Sequence, residues 1–137
     1  MRDLYEAANT ALNNAYAPYS KHPVGAAIRS KAGNIYAGCN VETAHYMAVH
    51  AETSAISAMI TAGETEISEI AIVGPGVALC TPCGDCRQRI REFCVMDTTR
   101  IAVFNREGEM LREYTMNELL PDSFGPENLE EFNGGSA

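Results

Sequence analysis

The chain has 137 residues, 46% hydrophobic and 20% charged, which suits one globular domain with its own core and excludes a low-complexity or disordered chain. Ten Lys plus Arg stand against eighteen Asp plus Glu, a formal charge of -8, which argues against nucleic acid as a partner and for a small neutral substrate. No apolar run reaches the length of a membrane span or secretory leader, so no membrane partner is expected, and a cytoplasmic location fits five cysteines that include one Cys-x-x-Cys pair.

Residues 3–15 place Leu4, Ala7, Ala8, Ala11, Leu12 and Ala15 at helical spacing, predicting an opening amphipathic helix. Pro18 and Pro23 hold Ala17 and His22 extended, so an ordered loop follows. Val24 to Arg29 and Ile35 to Cys39 read as a hairpin around Lys31-Ala32-Gly33-Asn34, and Asn40 to Tyr46 as a loop. Met47 to Ala62 carries Ala48, Ala51, Ala55, Ala58, Met59 and Ala62, which predicts a buried helix stopped by Gly63. Glu69 to Val73 reads as a strand ended by Gly74-Pro75-Gly76. A helix is expected to start at Thr81-Pro82 with Thr81 as its N-cap. Arg100 to Phe104 and Met110 to Tyr114 read as strands, Met116 to Leu120 as a short helix, and Asn133-Gly134-Gly135-Ser136 as a flexible end. This order predicts an α/β arrangement with one mixed sheet covered by helices.

Two short stretches carry the chemistry. His50-Ala51-Glu52 and Pro82-Cys83-Gly84-Asp85-Cys86 supply one imidazole, two thiols and one carboxylate. Three ligands with a position left for water make a catalytic zinc site, whereas a structural site closes with a fourth protein ligand. Cys83 and Cys86, three apart at a helix start, can share an ion at about 2.3 Å each, and the first turn's free N–H groups favour thiolates. His50 and Glu52 are two apart and reach one centre only beyond a helix end, so two helix N-termini are expected to converge on the metal. Zinc so ligated still draws the pKa of a water toward about 7, and Glu52 is free to take the proton. Singly, these residues have plainer readings: a lone histidine is commonly structural, and Cys-x-x-Cys serves redox pairs and zinc ribbons. No second Cys-x-x-Cys completes a ribbon. Cys39, Cys80 and Cys94 are expected to be small buried hydrophobes.

H-x-E followed by P-C-x-x-C is the pattern of zinc-dependent nucleobase deaminases. Further blocks are Ala17-Pro18-Tyr19-Ser20, Pro23-Val24-Gly25-Ala26-Ala27, Gly38-Cys39-Asn40-Val41-Glu42, Cys83-Gly84-Asp85-Cys86-Arg87-Gln88, Glu118-Leu119-Leu120-Pro121 and Ser123-Phe124-Gly125-Pro126. Together they resemble the short, single-domain free-nucleoside cytidine deaminases over residues 15–128. The resemblance implies a single-domain three-layer α/β/α sandwich with a mixed five-stranded sheet over 1–128, then a flexible tail at 129–137. It implies Zn2+-dependent hydrolytic deamination of cytidine or deoxycytidine in pyrimidine salvage, by a homotetramer with shared active sites. His50, Cys83 and Cys86 would hold the metal, and Glu52 would relay protons to N3 and the departing amine. Asn40 and Glu42 would meet the ribose 3'-hydroxyl, with Ala51, Thr81 and His22 completing the substrate-binding set within the chain. Ala44 and Tyr46 would approach the 5' end of the sugar from a neighbouring subunit, and Phe124 would reach across an interface to the pyrimidine. Core packing is an equal reading of Tyr46 and Phe124.

Three positions depart from the short members' pattern. Those members often carry cysteine where His50 stands and arginine where Thr53 stands; a neutral imidazole removes one negative charge and the need for the arginine. His22 replaces a common phenylalanine beside the base, which leaves open another aminopyrimidine nucleoside, such as a blasticidin-like antibiotic or a modified cytidine. Cys80 lies three before Cys83 with no counterpart role. The remaining rivals are a tRNA adenosine deaminase, opposed by the acidic charge, and a zinc-stabilised module without turnover.

Overall fold

The computed structural model describes residues 1–132. In chain order these form α1 (Arg2–Leu12), β1 (Gly25–Ser30), β2 (Ile35–Cys39), β3 (Val41–Glu42), β4 (Ala48–Val49), α2 (Ala51–Thr61), β5 (Ile67–Val73), α3 (Gly84–Phe93), β6 (Arg100–Phe104), β7 (Met110–Tyr114), α4 (Met116–Leu119) and α5 (Pro126–Phe132). Five strands make the expected mixed sheet in the order β2-β1-β5-β6-β7. β1 runs antiparallel to both β2 and β5, β5 is parallel to β6, and β6 is antiparallel to β7.

The alternation of strand side chains divides the core into two layers. Ala27, Ala71, Val73, Ala102 and Phe104 face α1, which contributes Leu4, Tyr5, Ala8 and Leu12. Ala26, Ile28, Ile70, Ile72 and Ile101 face the other way, onto Ala51, Ala55, Ile56 and Met59 of α2, Ile90 of α3, and Met116 and Leu119 of α4. Each fully buried Ile or Met stabilises the fold by roughly 1.5–3 kcal/mol of transfer energy. Two glycines let the helices approach the sheet. A Cβ at Gly25 would stand 1.9 Å from the Ala8 carbonyl oxygen, and one at Gly38 would stand 2.5 Å from both Ala55 N and Ser54 Cβ. The Ser54 hydroxyl also donates to the Cys39 carbonyl at 3.0 Å, fixing the first turn of α2 to the end of β2.

Several boundaries differ from those the sequence predicts. The helix expected from Met47 begins only at Ala51, because Ala48 and Val49 pair with Glu42 and Val41 in a two-stranded ribbon. Tyr46, at φ 60, turns that ribbon, and its N–H bonds the Thr43 carbonyl at 2.9 Å. Strand pairing thus overrides the alanine periodicity and places two strand residues in the stretch read as loop. The helix expected from Thr81-Pro82 begins at Gly84 with Cys83, not Thr81, as its N-cap. Arg87 holds the preceding residues extended: its guanidinium donates to the Pro82 carbonyl at 2.8 Å, the Leu119 carbonyl at 2.7 Å and the Thr81 hydroxyl at 3.3 Å. Where a flexible tail is expected from residue 129, α5 continues to Phe132, started by Pro126 and by a bond from Gly125 N to Asn128 Oδ1 at 2.8 Å. The rest of that expected tail, 133–137, lies outside the described residues. Among the described residues no helix is long and apolar enough to cross a membrane.

Candidate active site

The N-termini of α2 and α3 meet as the motif spacing requires. His50 is the N-cap of α2 and Cys83 the N-cap of α3, both with extended backbones, while Glu52 and Cys86 lie in the first turns. The ligand atoms of His50, Cys83 and Cys86 lie within 4.8 Å of one another. His50 Nδ1 is 3.2 Å from each of the two sulfurs. One ring nitrogen can share a proton with only one sulfur at a time, whereas ligands around one tetrahedral zinc stand roughly 3.5 Å apart. The donor set therefore fits a metal better than a hydrogen-bonded cluster. Burial, then the Glu52 carboxylate and the Cys83 sulfur, push the Cys86 thiol far above its usual range in the absence of a cation. Bound zinc reverses that preference by stabilising thiolates outright.

Glu52 is 5% exposed and is not one of the three converging ligands. Burial raises its pKa above the ordinary carboxylate range, against the opposing pull of its own backbone N–H, His50 and Cys86. A carboxyl shifted toward neutrality beside a metal position suits proton transfer in both directions. His50, Glu52 and Cys83 open onto a cavity of about 380 Å³ that is also lined by His22, Asn40, Glu42, Ala51 and Thr81. Ser20, Val24, Ala48 and Cys80 line it as well. Ser20 lies in a block that reads as similar to the family yet carries no assigned role. Cys80 announces itself only by its spacing from Cys83.

Two wall residues also build the wall. The Asn40 amide accepts from Val24 N and donates to the His22 carbonyl, both at 2.9 Å. Glu42 accepts from Tyr19 N at 3.1 Å, Ser20 N at 3.0 Å and the Ser20 hydroxyl. The Ser20 hydroxyl and amide, with Tyr19 N, hold the Glu42 carboxyl below its usual range. Asn40 and Glu42 thus brace the 16–24 loop and keep spare lone pairs and one N–H for a ligand.

Three expected site residues are not in this cavity. Tyr46 borders an adjoining hollow of about 320 Å³ with Tyr19 and Met47, its ring edge-on to Tyr19 at 5.8 Å. Ala44 is exposed on the ribbon turn. Phe124 is 57% exposed, which rules out core packing within this chain, as does 83% exposure for Tyr46. The segment carrying Phe124 is held by α3: Gln88 donates to its carbonyl at 2.9 Å, and Arg91 bonds the Ser123 hydroxyl at 2.8 Å. Cys39, Cys80 and Cys94 are half-buried rather than fully buried as expected; burial pushes the Cys94 thiol up to about 11.

Comparison with known proteins agrees with this geometry. The family model for the cytidine and deoxycytidylate deaminase zinc-binding region matches residues 1–102. The cytidine deaminase of Sporosarcina psychrophila is 38% identical over 120 residues, 87% of each chain. That of Halalkalibacterium halodurans is 36% identical over 129 residues, 93% of this chain and 96% of the relative. The crystal structure of cytidine deaminase from Burkholderia pseudomallei superposes with a TM-score of 0.77 at 35% identity, covering 89% of this chain and 97% of that one.

Proposed function

The chain belongs to the cytidine and deoxycytidylate deaminase family, and on that premise we propose that it hydrolyses the C4 amine of cytidine, deoxycytidine or both, yielding the uracil nucleoside and ammonia. The observation that carries the reading is the buried Glu52 carboxyl beside three converging soft ligands at the floor of a nucleoside-sized cavity. Zinc held by His50, Cys83 and Cys86 supplies the Lewis acidity that makes water nucleophilic near neutral pH. Glu52 takes a proton from the attacking water and delivers it to N3 as the C4–O bond forms. It then passes the second proton to the amine as the C4–N bond breaks and ammonia leaves. Its raised pKa serves both transfers.

Asn40 and Glu42 bind the ribose 3'-hydroxyl, Ala51 and Thr81 flank the base, and His22 borders it. Tyr46 at 83%, Met47 at 62%, Val77 at 87% and Phe124 at 57% exposure leave apolar surface on the ribbon turn, on the loop leading to Cys80 and on the segment beside α3. Such surface is what a neighbouring copy would cover, and it supports a homotetramer in which Ala44, Tyr46 and Phe124 complete adjacent sites. Light scattering tests this: a mass of four 14.8 kDa chains is expected. Five free cysteines among the described residues support a reducing, cytoplasmic location. The activity itself is tested by following the absorbance loss of cytidine and deoxycytidine. Loss of turnover on Glu52→Gln is expected, and full turnover in that variant would refute the proton-relay role.

A further inference from the structure

α3 serves two places in this chain. Its start sets Cys83 and Cys86 where the three soft ligands converge, and its later turns hold the segment that carries Phe124. The second hold centres on Arg91, whose side chain is only 10% exposed. Its guanidinium donates through Nε to the Ser123 hydroxyl at 2.8 Å and through Nη2 to the Ser123 carbonyl at 3.4 Å. It also meets Glu127 as a fork, Nη2 to Oε1 at 2.5 Å and Nη1 to Oε2 at 3.3 Å.

The segment closes around that guanidinium. Asp122 turns the chain at a left-handed φ of 51. Gly125 lies directly against Arg91, for a Cβ there would stand 1.8 Å from Nη1 and 2.2 Å from Cζ. Gln88, three residues before Arg91 on the same helix face, donates to the Phe124 carbonyl at 2.9 Å. Ser123, the Phe124 backbone and Glu127 are therefore all tied to α3, and the Phe124 ring is the part left exposed.

An exposed ring gains nothing within its own chain from so many tethers. A ring that another molecule receives does gain, because backbone ordered in advance leaves less to be ordered on binding. Glu127 is largely exposed, and an ion pair to such a carboxylate contributes little to folding. The clasp should act on placement rather than on stability.

Resting on the deaminase reading and the shared sites proposed above, we propose that Arg91 is a positioning residue: clasped to Ser123, Gly125 and Glu127, it fixes the direction in which Phe124 leaves the chain and so sets the nucleoside affinity of the neighbouring copy's site.

The chain has no tryptophan, so Phe124→Trp introduces a single fluorophore at the segment. Its anisotropy decay is measured alone and combined with Arg91→Met, Glu127→Gln or Gly125→Ala, the last of which keeps Arg91 but displaces its guanidinium. KM and kcat for cytidine are measured on zinc-loaded wild type, Arg91→Met, Arg91→Lys, Glu127→Gln, Phe124→Ala and the Arg91→Met, Phe124→Ala double variant. Arg91→Met and Gly125→Ala are expected to speed the local decay. Arg91→Met should raise KM about threefold at unchanged kcat, zinc content and mass, the order expected when one segment must be ordered on binding. Arg91→Lys and Glu127→Gln should fall between it and the wild type, and Arg91→Met should add nothing once Phe124 is replaced by alanine. Equal KM in wild type and Arg91→Met, or effects that add to those of Phe124→Ala, overturns the proposal and leaves the deaminase reading intact. If Arg91→Met does not fold, the exposed Glu127→Gln decides by the same two readouts. Absence of cytidine and deoxycytidine turnover in the wild type overturns the deaminase reading, and the anisotropy then decides the clasp: a faster decay in Arg91→Met upholds it and an identical decay overturns it.

Discussion

The reacting end of the cavity and its outer rim are built by different means. At the reacting end, His50, Glu52, Cys83 and Cys86 are set by the first turns of two helices. Those turns rest on the core through Ala51, Ala55, Met59 and Ile90, each no more than 1% exposed. At the outer rim and on the surface beyond it, Tyr46 and Met47 are exposed on a ribbon turn held by backbone bonds to Thr43, and Phe124 is exposed on a segment tied to α3 by the Gln88 bond to its carbonyl. The difference suggests a division of labour. Proton transfer needs a rigid, buried carboxyl that one chain supplies, and in the homotetramer proposed above a neighbouring copy would cover the exposed surfaces.

Glu52→Gln probes the reacting end most directly. On the proposed mechanism it removes the proton carrier while keeping the shape, so kcat should fall about 10²–10⁴-fold, as for loss of a general acid–base. Zinc content should stay stoichiometric, because Glu52 is not among the converging ligands. Cys86→Ala should lose metal as well, and a rise in chelator-resistant zinc in that variant would contradict the ligand assignment.

A matched pair of glycine substitutions tests whether the two regions really differ in packing. Gly38→Ala forces a Cβ to within 2.5 Å of Ala55 N, a backbone atom that cannot move alone. Overpacking of this kind costs about 1–3 kcal/mol, and displacement of α2 should carry Glu52 with it and lower kcat. Gly76→Ala, on the loop leading to Cys80, meets nothing within 4 Å and should change stability by less than about 0.5 kcal/mol. Chemical denaturation of both variants measures this, and equal losses would erase the distinction.

The same division governs what could be read in advance. β2, β6 and β7 match their apolar runs, and Gly63, at φ +94, follows the end of α2 as its position suggests. The metal ligands were legible because their types and spacing impose a helix end. Misreadings fall where tertiary partners decide: Ala48 and Val49 look helical by alanine spacing but pair with Glu42 and Val41, and Arg87 defers α3 to Gly84. The spacing of Cys80 from Cys83 and the family-like block around Ser20 did not say that either lines the cavity, because only the juxtaposition of distant loops puts them there.

Phe124→Ala addresses the rim. The side chain is 57% exposed in its own chain, so its loss should leave denaturant stability of the isolated fold nearly unchanged. If it completes a neighbour's pocket, KM for cytidine should rise about tenfold, near the 1.4 kcal/mol value of an aromatic contact. Unchanged KM with a lower melting temperature would assign Phe124 to a contact between copies that holds the assembly without touching substrate.

The smallest effect is expected where rim and floor join, at the Glu42 carboxyl. The Ser20 hydroxyl, the Ser20 amide and Tyr19 N hold its pKa below the ordinary value of 4.5. A depressed carboxylate stabilises the folded state fully above its unfolded pKa, and that contribution is lost as pH falls through the folded value. Ser20→Ala removes the largest of these interactions, so the Glu42 pKa should rise toward 4.5 and the acid-unfolding midpoint should move to slightly higher pH, with stability at pH 7 reduced and Glu52 chemistry untouched. Carboxyl carbon NMR titration of Glu42 follows the first change and circular dichroism the second. A Glu42 titration unmoved by Ser20→Ala would mean that the loop is held by its backbone alone, and that Glu42 keeps both oxygens for the sugar.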